Sequence, residues 1–162
     1  MASLIVGISD LKIALPPDTL ITYALGSCVG ICLWDSISRI GGLSHIMLPE
    51  VSISPSDTNA LKFADTALPE LVRQMERKGA LHSRLKAKIA GGAQMFEFSG
   101  GTASANWQIG RRNVQAVTQV LQAMRIPLVA QDVLENYGRT VTFDPATGLM
   151  QVRALNRPVE LL

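Results

Sequence analysis

Short aliphatic runs separated by Pro, Gly and polar clusters fill the first third of the chain. Leu4–Ile8 and Leu11–Ala14 read as strands, and Pro16-Pro17-Asp18 breaks the chain after them. Leu20–Leu25 follows, and Gly26-Ser27 supplies a turn. Val29–Trp34 is apolar throughout, as in a strand buried on both faces. Asp35–Arg39 is polar and turn-like, and Ile40–Leu48 is the next strand, ended by Pro49. The period then changes. Leu61, Ala64, Leu68, Leu71 and Met75 alternate steps of three and four, which is one apolar stripe of a helix. Ser56-Asp57 offers it an N-cap and Gly79 a C-terminal stop, while Pro69 is expected to kink or split it. Leu85–Ala90 reads as a strand closed by Gly91-Gly92, and Ser99–Asn106 (SGGTASAN) as a loop. A second helix fits Arg111–Met124, with Val114, Val117, Leu121 and Met124 on one face. Pro127–Leu134, Arg139–Phe143 and Leu149–Leu155 read as strands, the last two joined by a turn over Asp144–Gly148. No repeat or linker interrupts this order. The pattern predicts one layered α and β domain over residues 1–162.

Composition narrows the classes. With 48% hydrophobic and 17% charged residues in 162, the chain can bury a sizeable core and is not disordered. A formal charge of +2 gives no argument for nucleic acid. No apolar run approaches the ~18 residues of a membrane span. The opening MASLIVGISD lacks a basic segment and has only a short apolar one, so it does not read as a signal peptide. On one strand Cys28 and Cys32 would lie ~13 Å apart, at about 3.3 Å per residue, beyond disulfide reach. Unpaired thiols and no export signal predict a cytoplasmic protein.

The candidate chemistry is sparse. There is no phosphate-cradling motif, and Cys28, Cys32, His45 and His82 do not fit the spacing of a standard zinc module. A nucleophile with a base remains. Cys28 sits after a Gly-Ser turn at the mouth of a buried strand; it reads either as a small core residue or as a thiol activated by a neighbour. His45 lies within an apolar strand and needs a reason, either a satisfied core hydrogen bond or catalysis. His82, among Arg77, Lys78 and Arg84, reads as solvated. Arg73, Arg77, Lys78, Arg84, Lys86 and Lys88 form a basic stretch, either a solvated helix end or a docking surface for an acidic protein. Without interleaved aromatics it does not suggest nucleic acid.

Several segments together resemble the CheD family of chemoreceptor glutamine deamidases. They are Leu25-Gly26-Ser27-Cys28-Val29-Gly30, Gly41-Gly42-Leu43-Ser44-His45-Ile46-Met47-Leu48-Pro49 and Lys62-Phe63-Ala64-Asp65-Thr66-Ala67. Ala87–Ala93, Ile109-Gly110-Arg111-Arg112-Asn113-Val114, Asn136–Thr140 and Asp144-Pro145 follow in the family's order. The resemblance implies an α+β fold, a mixed and largely antiparallel β-sandwich layered with two or three helices (α/β/β), related to cysteine-dependent deamidase toxins. It implies a hydrolase of bacterial chemotaxis that converts receptor glutamines to glutamate without a cofactor. Cys28, His45 and Thr22 take the positions of its Cys, His and Thr. The resemblance also implies binding to a CheC-type phosphatase. One departure stands out: Leu134-Glu135 replaces a Gly-Gly usual before Asn136.

On this reading Cys28 attacks the carboxamide, His45 moves protons and Thr22 orients the imidazole. Backbone N–H groups around Gly26, Ser27 and Cys28 would receive the oxyanion. A non-catalytic adaptor, with Cys28 and His45 as core residues, is the alternative. Arg111, Arg112 and Val114, with the SGGTASAN loop, are candidates for partner binding. If Val29–Trp34 and Ile40–Leu48 form a tight hairpin with Cys28 opposite His45, the turn centres between Ser36 and Ile37, and both side chains share a face.

Overall fold

The computed structural model describes residues 1–95 and 108–162; the predicted SGGTASAN loop lies outside them. Ten strands are present among the described residues: β1 Ser3–Ile5, β2 Asp10–Ala14, β3 Thr19–Leu25, β4 Val29–Asp35, β5 Ile40–Ile46, β6 Leu85–Gly91, β7 Leu128–Val133, β8 Arg139–Asp144, β9 Leu149–Arg153 and β10 Glu160–Leu161. Two α-helices join them, α1 Ala64–Arg77 and α2 Ile109–Ala123. The strands form two sheets, in the orders β1-β3-β8-β9-β10 and β2-β5-β4-β6-β7. Only β1–β3 and β6–β7 pair in parallel. The fold is therefore the expected α+β sandwich, largely antiparallel.

Strand β4 shows why there are three layers. It lies at the centre of its sheet, so both of its faces need cover. Val29, Ile31 and Leu33 pack with Leu68, Leu71, Val117 and Leu121 of the helices. Cys32 and the half-buried Trp34 and Cys28 pack with Leu20, Leu25, Val141 and Phe143 of the second sheet. The order is helices, sheet, sheet. Gly41 and Gly42 mark the tight places on β5, because an added Cβ would meet the Phe143 ring at 2.9 Å on one face and Leu71 at 2.6 Å on the other.

Three expectations need correction. Helix α1 begins at Ala64, not near Ser56-Asp57. Phe63 is fully buried and bridges Leu48, so the chain stays extended until its ring is placed. Asp57 instead accepts the Asn59 N–H and pairs with Lys62, holding a turn. Pro69, on the exposed face, sits inside an unsplit helix. The β4–β5 register is also displaced: Gly30, not Cys28, lies opposite His45, and the ladder closes at Asp35–Ile40. The loop is longer than a tight turn. Asp35 accepts the Ile37 and Ser38 N–H groups, Arg39 turns left-handed, and Ile37 projects into solvent. The displacement is two residues, so every side chain keeps its face.

Asp35 also ties this hairpin to the rest of the sheet. Its buried carboxylate accepts from Leu81 N–H and from Nε and Nη2 of Arg84. Burial alone would raise its pKa, but these donors outweigh it and hold the carboxyl well below the usual carboxylate range. Stability from this group is present above the ordinary carboxylate pKa and is lost as pH falls toward the depressed one. Asp35→Ala should destabilise the fold by ~2–4 kcal/mol, read from urea unfolding at neutral pH, because several part-buried donors, the Arg84 guanidinium among them, lose their buried acceptor at once. The basic stretch is correspondingly broken up: Arg84 pairs with Asp35, Arg73 with Glu70, and Lys88 donates to the carbonyls of Gly148 and Leu162. His82 is not merely solvated either, since its Nε2 is 2.7 Å from the Met124 carbonyl.

Both helices end alike. After α1, Gly79 N–H bonds to Glu76 O and Ala80 N–H to Met75 O, with Gly79 at φ +113°. After α2, Arg125 N–H bonds to Gln122 O and Ile126 N–H to Leu121 O, with Arg125 at φ +58°. The second motif places a side chain where glycine is favoured. Arg125→Gly should therefore stabilise the protein, by ~0.5–1 kcal/mol in thermal or urea unfolding. The Leu134-Glu135 departure resolves in the same way. Both residues take the left-handed conformation a Gly-Gly would adopt, at φ +68° and +64°. They are held there by Leu134 N–H to Gly91 O, Gln94 N–H to Glu135 O, and Arg139 Nη1 to Leu134 O.

Candidate active site

Thr22 and His45 meet at one end of the layer between the sheets, and Cys28 lies against the same layer. On β5, Leu43 points toward the second sheet, so His45, two residues on, does too. On β3, Leu20 points into the same layer and Thr22 follows it. Cys28 precedes β4 on the face of Gly30 and Cys32, against the same cluster. Gly30 lies directly opposite His45, and a Cβ there would stand 3.6 Å from the Thr22 methyl. Cys28 is thus the diagonal neighbour of His45 rather than its direct partner. Diagonal neighbours on one face stand ~7–8 Å apart, their Cβ atoms somewhat closer, a gap that an imidazole can span.

The Thr22 hydroxyl fixes the imidazole. Its Oγ1 is 2.7 Å from the Val6 carbonyl and 2.7 Å from His45 Nδ1. A hydroxyl has one proton, and a carbonyl can only accept. Oγ1 therefore donates to Val6 O and accepts from Nδ1–H. The neutral imidazole then carries its lone pair on Nε2, and that atom, although buried, has no hydrogen-bond partner among the described residues. Burial presses the His45 pKa down to about 4. At neutral pH the side chain is an uncharged base with its basic nitrogen unoccupied.

A depressed imidazole pKa has a consequence for stability. The unfolded chain binds a proton near the ordinary value of ~6.5, and the folded one does not until about 4. Stability is complete above the unfolded pKa and falls as pH drops between the two values. The melting temperature should decline from pH 7 to pH 5, and His45→Gln should flatten that decline.

Burial pushes the Cys28 thiol up, and the opposing influence is its own backbone N–H. Cys28 is half-buried, whereas Cys32 is enclosed and its thiol is pushed higher still by burial. The backbone around Cys28 is held on several sides. Its carbonyl accepts Gly92 N–H, and the Gly26 carbonyl accepts Ala93 N–H, both at 2.8 Å. Gly91 and Gly92 are required there: at φ +113° a Cβ on Gly91 would stand 2.3 Å from the Cys28 carbonyl oxygen. Gly26 and Ser27 are half-buried. The Asn113 side chain of α2 reaches this loop as well, and no sequence pattern for the site included it. Its burial shows only in the fold, where Gly110, Asn113, Val117 and Leu121 are the buried residues of α2; the stripe read from the sequence, Val114, Val117, Leu121 and Met124, passes it by.

The partner-surface candidates separate. Arg111 is exposed and Arg112 half-buried, while Val114 packs on the core and against Gly92. Arg111 lines a polar cleft of about 450 Å³ with Gln94, Gln108, Leu134 and Asn136. Among the described residues there is no cluster of His, Cys, Asp and Glu able to hold a metal, and no helix is long and apolar enough to cross a membrane.

Residues 47–154 match the family model described as CheD chemotactic sensory transduction. The chain belongs to the CheD family. A CheD protein of Syntrophomonas wolfei, named a probable chemoreceptor glutamine deamidase, is 53% identical over 150 residues, covering 93% of this chain and 92% of its own. Proteins given the same name in Clostridium novyi and Clostridium botulinum are 46% and 50% identical, over 97% and 93% of this chain and 96% and 91% of theirs. The CheD family match begins just beyond His45, so the roles of Thr22, Cys28 and His45 are argued from their geometry.

Proposed function

We propose that this protein is a chemoreceptor glutamine deamidase, with Cys28 as nucleophile, His45 as general base and acid, and Thr22 as the residue that orients the imidazole. The observation that carries the assignment is the Val6–Thr22–His45 relay, which leaves an unpartnered Nε2 on the face that carries Cys28. The names of the CheD relatives support the substrate class. An adaptor with a merely structural histidine would have no use for a buried nitrogen without a partner.

The reaction follows from the protonation states. His45 Nε2 takes the thiol proton as Sγ attacks the glutamine carboxamide carbon. The oxyanion forms near the Cys28 N–H. Nε2 returns the proton to the departing nitrogen, ammonia leaves, and a thioester remains. Water then attacks the thioester carbon and gives a proton to Nε2. The C–S bond breaks, glutamate is released, and the thiolate recovers the proton. Because burial favours the neutral forms of both groups, the proton moves during attack rather than beforehand.

The substrate is the cytoplasmic helical region of a chemoreceptor, and the protein acts in the cytoplasm. Arg111 and Arg112 are candidates for contacts to the receptor or to a CheC-type phosphatase. The deciding experiment is mass spectrometry of receptor cytoplasmic fragments incubated with the protein. Time-dependent conversion of particular glutamines to glutamate, absent with Cys28→Ala, is the expected result. Receptor binding without conversion would establish the adaptor instead.

A further inference from the structure

Just past Val29–Ile46, the last rung of the β4–β5 ladder, two backbone carbonyls are served by one side chain. Asn113 Nδ2 donates to Ser27 O and to Met47 O, both at 2.9 Å. The two acceptors settle which end of the amide faces them, because an oxygen there would meet two carbonyl oxygens. Serving two acceptors from one neutral nitrogen takes an NH2 group, and at this reach Asn is the side chain that has one. Asn113 is fully buried, and its Oδ1 has no partner among the described residues. A buried acceptor left unpaired is unfavourable, and an apolar residue on this helix stripe would avoid it. Packing alone does not explain an asparagine here.

The two carbonyls flank the reacting groups. Ser27 C=O and Cys28 N–H belong to one planar trans peptide, so fixing the carbonyl fixes the direction of the N–H. That N–H also favours the thiolate form of Cys28. Met47 stands two residues beyond His45, and its own N–H is held by the Lys62 carbonyl. We infer that Asn113 is a positioning residue for the deamidation, setting the direction of the Cys28 N–H and the spacing between the Cys28 loop and the His45 strand from helix α2. The inference rests on the assignment of Cys28 as nucleophile. It adds a group outside the Thr22–His45–Cys28 set that acts on both arms.

Two variants test it. Asn113→Ala removes the donors, and Asn113→Asp keeps the shape but presents oxygen where the NH2 was. Each is first checked for folding by circular dichroism and thermal melting. The rate of Cys28 alkylation by iodoacetamide is then followed against pH, and kcat and KM are measured with a receptor fragment. In folded variants the alkylation profile should move to higher pH, and kcat should fall ~10–10²-fold, as expected for a small misplacement of reacting groups. KM should stay within about threefold, because Asn113 is buried away from substrate. Wild-type alkylation profiles and kcat in a folded variant would overturn the inference. So would loss of folding in both variants, which would make the residue a structural strap. A profile that shifts while the wild type fails to convert any receptor glutamine would retain the positioning role and remove the deamidase assignment instead.

Discussion

Cys28→Ala should lower receptor deamidation at least ~10⁴-fold, the scale of losing a covalent nucleophile. The fold should survive, because the change removes one half-buried sulfur at the edge of the inter-sheet layer. Cys32→Ala is the matched control. Its thiol is enclosed on the same face of β4, between the sheets and away from the loop. That change should cost roughly 1–2 kcal/mol in urea unfolding and leave turnover within about twofold. Alkylating reagents should label Cys28 and spare Cys32 in the folded protein. Equal loss of turnover in the two variants would end the assignment of Cys28.

The second large effect concerns the tautomer. Thr22→Val keeps the volume of the side chain but removes the acceptor for Nδ1–H and the donor for Val6 O. The imidazole proton then has no reason to stay on Nδ1, and Nε2 loses its lone pair in the other tautomer. Turnover should fall ~10–10²-fold, with His45→Ala falling at least ~10²-fold. Thr22→Ser retains the hydroxyl and should retain most of the activity. The acid limb of the kcat/KM profile should lie below the ordinary imidazole range, toward about 4, because burial disfavours His45 protonation. A limb near the unperturbed imidazole value, unmoved by Thr22→Val, would refute both the buried base and the relay.

Much of this arrangement can be read from the residues alone. An unbroken apolar β4 demands cover on both faces, and that demand implies three layers. Parity along β4 and β5 keeps Cys28 and His45 on one face for any even displacement of the register, such as the two residues found here, whereas a slip of one would separate them. The register itself is less accessible. It depends on Asp35 capping Ile37 and Ser38 and on Arg39 turning left-handed, neither of which a turn-like composition specifies. The start of α1 is hidden similarly, since Phe63 stays extended for a tertiary reason, its own burial. The Val6 carbonyl that fixes the imidazole cannot be found by residue type, because every residue has such a group. Asn113 is hidden as well, because the apolar stripe legible in the sequence runs through Val114, Val117, Leu121 and Met124, and the burial of Asn113 is a tertiary outcome.

The ladder of strand β3 bears on when the enzyme becomes competent. All three side chains proposed to react lie within the first 45 residues, but Thr22 reaches its place on a strand whose antiparallel neighbour is β8, Arg139–Asp144. Helix α2, which bridges the Cys28 and His45 arms, also comes late in the chain. Pairings this distant in sequence close slowly and late. A nascent chain therefore carries its thiol and its base through most of synthesis without a working centre. The proposed centre is complete only once β8 and α2 have docked on the N-terminal strands.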